Sequence, residues 1–191
     1  GGFRGAGDLT KLGSGTFYAA ATTGGANTSW TGNLIIKEGT WKIVGSDGLP
    51  FNVSDGVLRP AQTTLDGGTW QIGKTLNVTN ARRGVTVAAG GGTIDTQWFG
   101  LTLAGPSTGS SAAAVLNKAG SGTLRLRSQV YADSFYGTMN VNEGALELDG
   151  GAALGPAAVS VANASGVALN LVNQFGVADM NQTPGSLSGG G

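Results

Sequence analysis

Apolar and polar residues alternate in short bursts along this chain, and each burst follows a glycine. The unit reads Gly15-Thr-Phe-Tyr-Ala, Gly39-Thr-Trp-Lys-Ile, Gly68-Thr-Trp-Gln-Ile and Gly92-Thr-Ile-Asp-Thr. It continues as Gly122-Thr-Leu-Arg-Leu, Gly144-Ala-Leu-Glu-Leu and Gly166-Val-Ala-Leu-Asn-Leu, the last with one extra residue. A period of two marks short strands with one buried face. Trp41 and Ile43 are expected inward and Lys42 outward. Leu124 and Leu126 are expected inward with Arg125 and Arg127 in solvent, and Leu146 and Leu148 inward with Glu147 and Asp149 outward. Trp41 and Trp70 share a register, which predicts an internal aromatic column. No stretch carries the 3.6-residue period of a helix, so the chain is predicted to be all-β.

Successive unit glycines lie 24, 29, 24, 30, 22 and 22 residues apart. That spacing fits one solenoid coil of three short strands, with loop insertions in the longer intervals. A hairpin sandwich is the rival, and Asp47-Gly48, Asp55-Gly56, Asp66-Gly67 and Asp149-Gly150 are the turns it would use. The long repeat favours a right-handed, single-stranded parallel β-helix over residues 1–191, a single domain of about seven to nine coils.

Two segments match almost residue by residue. Leu9-Thr-Lys-Leu-Gly-Ser-Gly-Thr-Phe, then Trp30-Thr-Gly-Asn-Leu-Ile-Ile-Lys-Glu-Gly-Thr-Trp-Lys-Ile, corresponds to Leu116-Asn-Lys-Ala-Gly-Ser-Gly-Thr-Leu, then Phe135-Tyr-Gly-Thr-Met-Asn-Val-Asn-Glu-Gly-Ala-Leu-Glu-Leu. Lys11 matches Lys118, Trp30 matches Phe135, and Glu38-Gly39 matches Glu143-Gly144. The repeat units span 9–45 and 116–155. This paired unit resembles the autotransporter-associated β-strand repeat of autotransporter passengers and other large bacterial surface proteins. The resemblance implies a parallel β-helix exported to the cell surface and names no ligand. No translocator barrel is visible in the sequence, and both ends read as continuing into a longer solenoid.

Composition narrows the function classes. Glycine makes up 36 of 191 residues without a three-residue period, which excludes collagen, and 40% hydrophobic content is too high for a flexible linker. With 11 basic and 11 acidic residues there is no basic excess to hold nucleic acid. No apolar run is long enough to insert in a membrane. Cysteine and histidine are absent, which removes disulfides, thiolate metal sites and the commonest general base. No cofactor, metal or catalytic site is expected.

The candidate side chains divide into scaffold and surface. Lys11 and Lys118 read as outward, solubilising residues beside a turn. Arg125 and Arg127 against Glu147 and Asp149, one coil later, predict a surface charge ladder, with a glycan-binding stripe as the alternative. Asp47, Asp55, Asp66 and Asp95 are acids next to turns and could serve a polysaccharide-active enzyme only if two faced each other. Asn27, Asn52, Asn77, Asn163 and Asn181 begin Asn-x-Ser/Thr triplets and are expected in turns or asparagine ladders. Surface binding is looked for at Trp30, Arg82, Arg83, Trp98, Arg125 and Arg127. The function expected is a structural or adhesive stalk at the bacterial surface or outside the cell. Its partners would be its own copies or a host or surface glycan or protein. An end-to-end filament subunit is the alternative, and an enzyme the more distant one.

Overall fold

The computed structural model describes residues 3, 5–20, 30–45, 56–127, 134–149, 154, 156–172 and 186–189. The predicted alternation becomes strands almost wherever it occurs. The first two turns contribute β1 (Leu9–Lys11), β2 (Thr16–Ala19), β3 (Leu34–Ile36) and β4 (Thr40–Ile43). The next two contribute β5 (Arg59–Leu65), β6 (Thr69–Ile72), β7 (Leu76–Val78), β8 (Arg83–Val87), β9 (Gly92–Asp95) and β10 (Leu101–Leu103). Then come β11 (Ser107–Gly109), β12 (Val115–Ala119), β13 (Thr123–Leu126), β14 (Ser134–Phe135), β15 (Thr138–Val141) and β16 (Ala145–Asp149). The chain continues through β17 (Ala158–Val161), β18 (Ala168–Val172) and β19 (Ser186–Gly189).

All the strand pairs are parallel, and they assemble three faces of a β-solenoid. The first face runs β1-β3-β5-β8-β11-β14. The second runs β2-β4-β6-β9-β12-β15-β17-β19, and the third β7-β10-β13-β16-β18. A hairpin sandwich would pair neighbouring strands antiparallel, so the parallel pairing removes that rival. The solenoid has about six turns, fewer than the seven to nine expected. Residues 21–29, 46–55 and 173–185 lie outside the described residues.

Inward residues form columns along the axis. On the third face Leu76, Leu101, Leu124, Leu146 and Leu169 are successive register partners. On the second face the column is Phe17, Trp41, Trp70, Ile94, Lys118, Val141 and Val161. Trp41 and Trp70 are buried register partners, as expected, and Phe17 extends the column by stacking on Trp41 with ring centroids 4.4 Å apart. Each fully buried Leu or Ile contributes roughly 1.5–3 kcal/mol relative to exposure. One expectation needs correcting: Asp149 is buried, because β16 ends with two consecutive buried residues where the alternation breaks.

The matched repeat units occupy different faces. Residues 9–45 lay their strands on the first and second faces through β1 to β4, whereas β12, β13, β15 and β16 use the second and third. The motif therefore encodes a strand, a tight corner and a strand, and the solenoid uses it at two of its corners. The 30-residue interval between Gly92 and Gly122 is where the unit moves round by one face.

The corner glycine sets the geometry of each repeat. Gly144 has φ +62°, and a Cβ there would meet the carbonyl oxygens of Gly120 and Gly122 in the preceding turn. Gly13 has φ +74° with no atom near its missing Cβ. Gly13→Ala is expected to cost about 1–2 kcal/mol from backbone conformation alone. Gly144→Ala adds the inter-turn clash and should cost about 3 kcal/mol or more. Equilibrium urea unfolding of the two variants checks the order.

Candidate functional site

Two lysines build the same corner at different places. Lys11 Nζ donates to the carbonyl oxygens of Leu12 (2.8 Å), Gly13 (2.5 Å) and, from the next turn, Glu38 (3.1 Å). Lys118 Nζ donates to Ala119 (3.0 Å), Gly120 (2.6 Å) and Glu143 (2.9 Å). The glutamate answers in the opposite direction. Gly13 N–H donates to Glu38 Oε2 (2.7 Å), and Gly120 N–H donates to Glu143 Oε2 (3.0 Å). Each corner is thus tied twice to the turn that follows it.

The expectation that these lysines point outward is corrected. Lys118 has no exposed surface and Lys11 is half-buried. Both have inward parity, two residues after a leucine, and both reach along the core to corner carbonyls. An ammonium has three N–H donors, and three carbonyls receive them at each site. Burial lowers the Lys118 pKa from 10.5 to about 8, with the carboxylates of Asp95 and Glu143 opposing the shift.

The third face carries two of the ion pairs. Arg125 and Glu147 are register partners on its outer side, with Nε and one terminal nitrogen 2.7 and 2.6 Å from the same Oε2. Arg127 Nε lies 3.8 Å from Asp149 Oδ2. The expected ladder therefore forms, with its second rung partly inside the protein. Beside the first rung lies an open groove of about 230 Å³ lined by Gly100, Leu101, Thr102, Thr123, Arg125 and Glu147.

The surface-binding candidates separate cleanly. Trp98 is 73% exposed, Arg82 is exposed, and Arg125 and Arg127 are half-buried within their ion pairs. Trp30 and Arg83 are corrected: neither is at the surface. Trp30 is buried, packs on Phe3 at 5.6 Å and donates its Nε1–H to Gly7 O (2.7 Å). Arg83 is buried and donates to Gln62 Oε1 (2.9 Å), while Gln62 Nε2 donates to Gly32 O. Its inward parity with Val85 and Val87 was the available signal.

The remaining polar candidates serve turns. Asp66 accepts from Gly90 N–H (3.2 Å), and Asp95 accepts from Gln97 N–H (2.8 Å). Asn117 and Asn140 stack as an asparagine rung, Asn140 donating to Asn117 at 3.0 Å. Asn163 is exposed in a bend after β17, whereas Asn77 departs from the expectation: it is exposed in the middle of β7, in register with Thr102. Asp47, Asp55, Asn27, Asn52 and Asn181 lie outside the described residues. Among the described residues no three acidic side chains converge to hold a metal ion. No family model, curated protein or solved structure matches the chain.

Lys118→Ala removes three charge-assisted hydrogen bonds and leaves a cavity, and is expected to cost about 2–4 kcal/mol in urea unfolding. Between pH 8 and 10.5 the unfolded chain holds a proton that folded Lys118 has released, so stability rises with pH across that window. Below about pH 8 the desolvation cost is carried in full. Lys118→Met keeps the bulk and removes the titration. Wild type should gain about 1–3 kcal/mol on that variant from pH 8 to 10.5, as read by unfolding at each pH.

Proposed function

We propose that this chain is a rigid display segment of a bacterial surface or secreted protein of the autotransporter type. It acts as a stalk that spaces and presents groups along its sides. The observation that carries this reading is the doubly tied corner at Lys11 and Lys118, a device that joins turn to turn and contributes no reactive group. Lysine and glutamate are spent on carbonyl oxygens and backbone N–H groups there, so their repetition follows the geometry of a rod. The matched units 9–45 and 116–155 support the autotransporter-type assignment, because the repeat they resemble belongs to exported passengers. The absence of cysteine is compatible with export, since no disulfide can form before the chain crosses a membrane.

The test is export. The chain, carrying an epitope tag at its N-terminus, is fused to the translocator of a bacterial autotransporter. The tag should reach the cell surface, and the solenoid should resist mild protease there. Periplasmic retention with degradation would contradict the reading. Electron microscopy of the purified chain across a concentration series separates the alternative. Short rods of roughly 30 Å, from about six turns about 4.8 Å apart, are expected throughout. Long fibres would instead favour end-to-end assembly through edge strands β2 and β19, which expose Phe17, Tyr18 and Leu187.

A further inference from the structure

The corner between β9 and β10 is unlike the others. At the corners between β8 and β9, β12 and β13, and β15 and β16, Gly91, Gly120 and Gly144 take up the positive φ. Here Gln97 does so, at φ 53°, and among the described residues it is the one non-glycine in that region. A left-handed conformation costs a residue with a Cβ roughly 1–2 kcal/mol, and such strain persists only where surrounding contacts enforce it. Asp95 provides them. Its Oδ1 accepts the Gln97 backbone N–H (2.8 Å), and its Oδ2 accepts Gln97 Nε2 (2.6 Å) and Gln71 Nε2 (2.8 Å). The next turn adds a further tie, since Gly122 N–H donates to Gln97 O (2.7 Å).

That corner raises Trp98 into solvent. Trp98 is 73% exposed, whereas Trp30, Trp41 and Trp70 are all buried. Phe99 braces its ring, with centroids 5.0 Å apart and planes tilted by 39°. Two residues further on, Gly100 is one of the residues lining the groove of about 230 Å³ on the third face. The groove is open and smaller than the ~300–1,000 Å³ of enclosed small-molecule sites, so it suits a chain lying across it. Its walls offer the hydroxyls of Thr102 and Thr123 and the ion pair of Arg125 with Glu147.

We propose that the Trp98 corner and the adjoining groove form a binding site for a neutral oligosaccharide. Trp98 is the platform on which the apolar face of a pyranose ring stacks, and the groove takes the neighbouring sugar unit. Arg125 donates to sugar hydroxyls and Glu147 accepts from them. The paired charges cancel, so the lining carries no net charge to attract an acidic polymer. The strained Gln97 turn is a positioning element, holding the platform in place before ligand arrives and lowering the ordering cost of binding. The site is independent of how the segment reaches the cell surface.

The four tryptophans make the test selective. Three are buried, so acrylamide quenching reports chiefly on Trp98. Cellohexaose, maltohexaose and chitohexaose serve as neutral probes, with an oligogalacturonate hexamer as the acidic counterpart. At least one neutral probe should protect Trp98 from quenching. By calorimetry, Trp98→Ala should weaken that probe roughly tenfold or more and Trp98→Phe less. Glu147→Gln should weaken it several-fold, with circular dichroism unchanged for all three variants. Failure of every neutral probe to protect Trp98, or an unchanged affinity in Trp98→Ala, overturns the site. Tighter binding of the acidic hexamer than of any neutral probe overturns the assignment to neutral sugar.

Discussion

Strands in this solenoid are hydrogen-bonded to the turn above and the turn below, so everything else depends on successive turns staying in step. That is difficult when the turns differ in length. Thr138 pairs with Ala158, twenty residues on, and Leu34 with Thr63, twenty-nine residues on. Extra residues must leave the ladder between strands and return in register, or every inward side chain would exchange faces with its neighbours. The corners enforce this. A positive-φ glycine brings the backbones of two turns too close to admit a Cβ, and a lysine and a glutamate then fasten them. β5 shows the tolerance of the scheme. Its register shifts between Arg59 and Thr63, and Gln62 is turned inward to meet the buried Arg83.

A buried lysine is an expensive way to hold a corner. Desolvation of Lys118 is visible in its lowered pKa, and the cost is offset only because each N–H finds a carbonyl and two carboxylates stand nearby. What the arrangement contributes is specificity. The ammonium collects oxygen atoms from its own turn and from the next, so an out-of-step neighbour leaves it unsatisfied in the core. The same logic applies on the third face, where Arg125 finds Glu147 only if β13 and β16 are in register.

Much of this was legible in the order of residues. Alternation placed the leucine and tryptophan columns, and the glycine spacing separated a solenoid from a sandwich. What misled was chemical habit applied against parity. Lys11, Lys118 and Arg83 each fall two residues from an inward apolar neighbour, on the buried side of the alternation, yet charge argued for solvent. Trp30 was hidden differently, since its partner Gly7 is a turn away and nothing local announces the contact. The change of face between the two matched units was also hidden, because the motif specifies a corner without saying which one. Trp98 lies in a corner with no alternation to read. Its exposure and the strained residue before it emerge only from the folded backbone.

A single engineered crosslink tests the parallel stacking most directly, because the chain has no cysteine of its own. Asn117 and Asn140 are register partners on adjacent turns, within the Cα separation a disulfide tolerates for neighbouring strands. Asn117 and Arg125 would face each other instead if β12 and β13 formed a hairpin. Under mild oxidation the Asn117→Cys/Asn140→Cys variant should close an intramolecular disulfide quickly and gain stability, while Asn117→Cys/Arg125→Cys should stay reduced. The reverse pattern would contradict the solenoid and, with it, the corners and the face that carries Trp98.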